Sequence, residues 1–211
     1  MTEWLTTGPE KAATTLIFAH GAGGPMDSRF MNEMADLLAE RGIRVMRFEF
    51  AYMAARRNGG KRRPAPKAET LAPAYRAAVM EARETVTGRL AIGGKSMGGR
   101  VASLVADELF AKGTVQNLVC LGYPFHPPGL PEKLRTAHLE ALRCPSLIVQ
   151  GERDPFGSRA EVEALTLSNA IAITWSDDGD HDLGPRGASG RTRRGNLAAA
   201  AEAVATFLAK E

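Results

Sequence analysis

Six short apolar runs, largely without alternation of apolar and polar, set the tightest limit on this fold: "TTLIFAHG" (14–21), "IRVMRFEF" (43–50), "RLAIGGKS" (89–96), "VQNLVCLG" (115–122), "PSLIVQG" (145–151) and "AIAITW" (170–175). A strand wetted on one side alternates with period two, so runs like these describe strands covered on both faces. Helical patterns separate them. Phe30, Met34, Leu37 and Leu38 recur at helical spacing after Asp27, a candidate N-cap, and Gly42 can end that helix in the left-handed conformation. Further helices are predicted over 70–86, with Pro73 in the first turn, over 97–111, and over 196–209, where Leu197, Ala201, Val204 and Leu208 align. Strand and helix in alternation predict an α/β fold, a mostly parallel sheet of about six strands with helices on both faces, because each parallel connection must cross over a face. Ligands of such sheets sit beyond the strands' carboxyl ends. Two long connections, 51–69 and 123–144, leave those ends and are expected to wall the site.

The 211 residues, 44% hydrophobic and 24% charged, suit one domain spanning 1–211. No apolar run approaches the roughly 18 residues of a membrane span, and "MTEWLTTGPEK" lacks the basic-then-apolar order of a secretory signal, so a cytoplasmic protein without a membrane partner is expected. Cys120 falls near the carboxyl end of its strand and Cys144 before the amino end of the next. Parallel strands would hold the two beyond the roughly 7 Å Cα limit of a disulfide, and both are read as free thiols. The net charge of +3 is concentrated in "RRNGGKRRPAPK" (56–67) and "RTRR" (191–194). Such runs are either solvated surface or attractors of anions, and nucleic acid is not the expected partner.

"GGKSMGG", residues 93–99, admits two chemistries. A phosphate-binding loop with Lys95 and Ser96 in place needs glycine at position 89, which is Arg, and residues 89–92 belong to a buried strand rather than a loop. As G-x-S-x-G the stretch is instead a nucleophilic serine on a sharp strand-to-helix turn, where small neighbours relieve crowding. Gly94 and Gly98 fill the required places, a strand precedes, and a helix begins at Met97.

Such a serine needs a base, and the base an orienting carboxylate. Of four histidines, His181 in "DDGDHDLGP" follows the last strand and completes the order serine, acid, histidine; His126 in "YPFHPPG" is the substitute. His20 in "HGAGG" is read as contributing backbone more than ring. Asp154 in "GERDPFG" leads for the acid, with Asp177, Asp178 and Asp180 sharing the loop of His181. Asp178, Asp180 and Asp182 have alternate spacing, but an EF-hand would need Gly and Glu where Leu183 and Ser189 stand. HExxH and paired CxxC are absent, so no metal is expected. For an oxyanion, the N–H of Met97 at a helix start is one expected donor, and "HGAGG" supplies the other, from Ala22 first and Gly23 second.

"HGAGG", "GKSMGG", "GERDPFG" and "DGDHDL" stand in the order and positions of α/β-hydrolases over Thr15 to Leu208, and the chain resembles that superfamily. It is most similar to a compact, lidless group that includes testis-expressed hydrolase-like proteins, and more distantly to dienelactone hydrolases. "RFEFAYMAARRNGGKRRPAP" matches an aromatic-and-arginine segment of the group. The resemblance implies Ser96 as nucleophile, Asp154 as acid and His181 as base. Dienelactone hydrolases carry cysteine at the position of Ser96, so their substrate does not transfer. The amino-terminal antiparallel strands of larger relatives are reduced to at most "EWLTTGPEKAA".

The sequence therefore predicts a cofactor-free serine esterase acting on a small acyl substrate. Arg56, Arg57, Arg62 and Arg63, with His126, are expected to contact that substrate and favour an anionic one. The rival is a hydrolase-fold binding protein that engages an acidic partner through its basic loops.

Overall fold

The computed structural model describes residues 2–61 and 64–210. Its strands are β1 Leu5–Thr7, β2 Thr14–Ala19, β3 Arg44–Phe48, β4 Arg89–Lys95, β5 Asn117–Leu121, β6 Ser146–Gly151 and β7 Ile171–Ser176. The α-helices are α1 Arg29–Ala39, α2 Ala51–Arg57, α3 Ala68–Arg83, α4 Met97–Ala111, α5 Arg159–Glu163 and α6 Arg193–Ala209. The sheet runs β1-β3-β2-β4-β5-β6-β7, and only β1 is antiparallel to its neighbour. The six apolar runs are thus the six parallel strands, and β1 is the short remnant inside "EWLTTGPEKAA".

Alternation is missing from β2 to β6 because each of them feeds two cores, whereas β7, at the sheet edge, packs Ile171, Ile173 and Trp175 against one core and leaves Ala172 exposed. Ile17, Ile92, Cys120 and Ile148 enter the core beneath α3 and α4, while Leu16, Phe18, Ala91 and Val149 enter the one beneath α1 and α6. Both thiols are free and buried. From β2 the chain moves outward to β3 and then crosses back to β4 on the other side. That reversal opens a crevice beyond the carboxyl ends of β2 and β4. Among the described residues no helix is long and apolar enough to cross a membrane.

Helix boundaries differ from expectation where side chains found other partners. Ser28, not Asp27, precedes α1, and the Asp27 carboxylate instead accepts from Arg57 at 2.8 and 2.9 Å. α3 begins at Ala68, which puts Pro73 in the second turn; Pro73 is exposed, so the carbonyl its missing N–H would have bonded can face water. α6 begins at Arg193, three residues before the predicted start, because Thr192 caps it by accepting from the Gly195 N–H at 3.0 Å. α2 and α5 span two turns or fewer, too short for a period to register.

Tyr75 joins α3 to the sheet centre. Fully buried, its hydroxyl accepts from the Gly93 N–H at 2.9 Å and donates toward the carbonyls of Gly93 and Ile17 at 2.8 and 3.0 Å. Tyr75→Phe leaves those backbone groups short of a partner, and urea denaturation should show a loss of about 1–3 kcal/mol. An unchanged midpoint would mean that water replaces the hydroxyl.

Candidate active site

β4 ends where Ser96 adopts φ 52° and ψ −117°, a left-sided conformation that a non-glycine residue holds only under constraint. Its N–H donates to the Leu121 carbonyl at 2.9 Å, extending the sheet, and its own carbonyl accepts from the Arg100 N–H at 3.0 Å, starting α4. Glycine is obligatory beside this turn. A Cβ on Gly94 would lie 2.4 Å from the Gly98 carbonyl carbon, and one on Gly98 would lie 2.4 Å from the Ala19 oxygen.

The outward-turned hydroxyl meets His181. Ser96 Oγ lies 2.8 Å from His181 Nε2, and His181 Nδ1 lies 2.8 Å from Asp154 Oδ2. A carboxylate oxygen facing Nδ1 requires the proton there, which leaves Nε2 as the acceptor for the serine O–H. Asp154 is fully buried after β6. Its Oδ2 also accepts from Gln150 Nε2 at 2.9 Å, and its Oδ1 from the Phe156 N–H at 2.8 Å. Phe156 packs over the imidazole, ring centroids 4.3 Å apart.

The acidic residues near His181 are otherwise engaged. Asp178 pairs with Arg153 and Arg186, Asp180 accepts from the N–H groups of Asp182 and Gly184, and Asp177 pairs with Arg191. Lys95 sits behind the loop, its ammonium donating to the His181 carbonyl at 2.8 Å and pairing with Asp182 at 3.2 Å. Burial pushes the Lys95 pKa down, while Asp182 opposes that shift. Lysine at this position reads from sequence as half of a phosphate loop; in the fold it fastens the loop of His181 to the end of β4.

His20 departs from expectation, because its ring matters as much as its backbone. The fully buried imidazole accepts from the Phe50 N–H at Nε2, 3.2 Å away, so Nδ1 carries the proton and donates to the Gly21 carbonyl at 2.7 Å. Tyr52 adds a hydroxyl 3.1 Å from the Ala22 carbonyl. The peptide bond between Gly21 and Ala22 is trans, so fixing the Gly21 carbonyl also fixes the direction of the Ala22 N–H on the opposite side of the same plane. A Cβ on Gly21 would come 3.7 Å from the Ser96 Cβ, which places this loop directly against Ser96.

Burial lowers the pKa of His20, and burial followed by the Arg100 charge lowers that of His138, both from an ordinary value of 6.5. In the unfolded chain these imidazoles take up protons near that value, whereas in the folded protein they do so only at lower pH. Between the two values the unfolded state binds more protons. Stability is therefore intact above pH 6.5 and declines as pH falls toward the folded-state values. Urea midpoints measured from pH 7.5 to 5 should show this decline, smaller in His138→Gln; a flat wild-type profile would contradict it.

Two clefts meet at Ser96. One, of about 660 Å³, is lined by Gly21 to Gly24, Phe30, Lys95 and Arg193; the other, of about 510 Å³, is lined by Lys67, Met97, Arg100, Pro124 and Arg135. Ala22, Ser96 and Phe156 line both. The second cleft is walled by residues of both long connections. Of the expected substrate contacts, Arg56, Arg57 and His126 fall elsewhere. Arg57 is tied to Asp27 and Glu49, Arg56 lies over the Tyr52 ring at 5.4 Å, and neither lines these clefts. Arg62 and Arg63 lie outside the described residues. His126 is buried, 2.8 Å from the Pro127 carbonyl and 3.5 Å from Glu161, beside a separate pocket. These residues come from sequence proximity to strand ends, which does not fix where side chains go.

A family model described as an alpha/beta hydrolase domain matches residues 12–209. The chain belongs to that family, as the sheet order and the serine at the β4–α4 turn also indicate. Among solved structures it is similar to an alpha-beta serine hydrolase homologue from Coxiella burnetii, with 20% identity over 98% of this chain and 91% of that one and a TM-score of 0.73. It is also similar to a dienelactone hydrolase from Anabaena variabilis, with 22% identity, 97% and 89% coverage and a TM-score of 0.73. A third, an a/b serine hydrolase without lid from Xanthomonas campestris, has 20% identity, 95% and 88% coverage and a TM-score of 0.69.

Proposed function

We propose that the protein is a serine esterase that cleaves a carboxylic ester, or a related activated acyl group, through a covalent acyl-enzyme. One observation carries the reading: an unbroken chain from Ser96 Oγ through His181 to buried Asp154, with both links at 2.8 Å. His181 Nε2 takes the hydroxyl proton as Ser96 Oγ bonds to the substrate carbonyl carbon. The oxyanion is met by the N–H of Met97, at the positive end of α4, and by the N–H of Ala22, with Gly23 beside it. The carbon–oxygen bond to the leaving alcohol then breaks, and His181 returns the proton to that alcohol. Water repeats the sequence: His181 removes its proton, hydroxide adds to the acyl carbon, and Ser96 leaves as the alcohol. No cofactor enters the scheme. A fluorophosphonate probe tests it, because the probe needs an activated serine and no knowledge of the substrate. Mass spectrometry should find the adduct on Ser96, and folded protein that stays unlabelled would overturn the proposal.

A further inference from the structure

The two clefts differ in how their cations are neutralised. In the larger one, Arg29 and Arg193 both pair with Glu33, at 2.8 and 2.5 Å, and Lys95 pairs with Asp182. In the other, Arg100 pairs with Glu69, but among the described residues Arg135 and Lys67 pair with no carboxylate. The field of Glu69 reaches both, yet that carboxylate is already held by Arg100. The Arg135 backbone is clamped at both ends of the residue: its N–H donates to the Phe125 carbonyl at 2.8 Å, and its carbonyl accepts from the Tyr123 hydroxyl at 3.0 Å. An arginine without a partner on a fixed backbone, in a cleft that contains the nucleophile, is arranged to receive an anion. Burial and the neighbouring Arg100 charge lower the Arg135 pKa, and the negative charge of a bound anion would oppose that shift.

Resting on the esterase reading, we propose that this cleft is a carboxylate pocket: the substrate is an ester carrying a second, free carboxylate, which the Arg135 guanidinium binds through two parallel N–H donors with Lys67 beside it. The planar fork of arginine matches a carboxylate bidentately, a geometry that a lysine ammonium cannot reproduce. The proposal moves anion preference away from Arg56 and Arg57, whose surroundings are described above, to a residue inside the connection 123–144.

The test compares carboxylate esters with neutral matches at either end of the scissile bond. Phenyl hydrogen glutarate against phenyl pentanoate places the charge on the acyl side, and 3-carboxyphenyl acetate against phenyl acetate places it on the leaving-group side. One of the two pairs should show a carboxylate preference in kcat/KM. That ratio should fall by about tenfold or more in Arg135→Leu, chiefly through KM, with Arg135→Lys between the two. Calorimetry on Ser96→Ala supplies a readout independent of turnover: glutarate or 3-hydroxybenzoate should bind, and adding Arg135→Leu should weaken that binding by a similar factor. Equal ratios in wild type and Arg135→Leu, or binding unaffected by Arg135, would overturn the carboxylate pocket. Failure of all four esters and of fluorophosphonate labelling would overturn the esterase reading alone, because the calorimetric comparison still decides the pocket. Should Arg135→Leu not fold, Arg135→Lys answers the same question with the charge retained.

Discussion

Ser96→Ala should lower kcat for any ester the protein hydrolyses by about four to six orders of magnitude, with little change in KM or in stability. The loss is large because the substitution removes the atom proposed to bond to the acyl carbon, the hydroxyl held 2.8 Å from His181 Nε2. Stability should hold because among the described residues the Ser96 side chain makes a single hydrogen bond, to His181 at 2.8 Å, and such a bond contributes about 1 kcal/mol. The left-sided backbone at position 96 is set by its amide bond to Leu121 and its carbonyl bond from Arg100, both of which alanine keeps. Fluorophosphonate labelling should disappear in the same variant. Residual turnover above one part in a hundred would point to another nucleophile, and Ser28, which lines the larger cleft, is the one to examine. Double substitution would then separate the two.

The parts of this site legible in the sequence are those fixed by local backbone. The glycine at 94 is demanded by backbone within the turn itself and the one at 98 by the end of β2 packed against it, and both flank Ser96 at fixed spacing, so the turn is readable from its immediate neighbours. Strands β2 to β6 are legible because a strand buried on both faces loses its alternation whatever packs against it, and the edge strand β7 is legible only as a short apolar run. The order of serine, acid and histidine is likewise a property of the chain. What escaped was long-range. Gln150 reads as an ordinary polar residue inside β6, yet its side chain joins Tyr123, Gly157 and Asp154. Lys95 reaches a carbonyl 86 positions away, and His20 reaches an amide 30 away. Arg57 illustrates the converse error: a basic run looks available for substrate in one dimension, but its partners Asp27 and Glu49 come from separate segments. Arg135 carried no signal at all, since it becomes distinctive only when its neighbours are seen to lack a carboxylate for it.

Asp154→Asn should cost about four orders of magnitude in kcat while leaving the fold in place, because the hydrogen-bond pattern around this carboxylate admits no neutral substitute. Three donors converge on it: His181 Nδ1 and Gln150 Nε2 on Oδ2, and the Phe156 N–H on Oδ1. An asparagine must turn its amide nitrogen toward one side. Turned toward Phe156, it opposes a backbone N–H with another donor in a fully buried place. Turned toward His181, it opposes Gln150 and can satisfy the imidazole only by accepting no proton from it, so Nδ1 must become the acceptor and Nε2 must carry the hydrogen. In that tautomer Nε2 faces Ser96 Oγ as a donor and cannot remove its proton. The second orientation keeps the backbone bond to Phe156 and is the one expected. Two measurements distinguish this account from a loss of packing. The rate of fluorophosphonate labelling should fall in step with kcat, since both require proton removal from Ser96, and the circular dichroism spectrum should match that of wild type. Labelling that stays fast while ester turnover collapses would mean that Asp154 serves deacylation rather than the tautomer of His181.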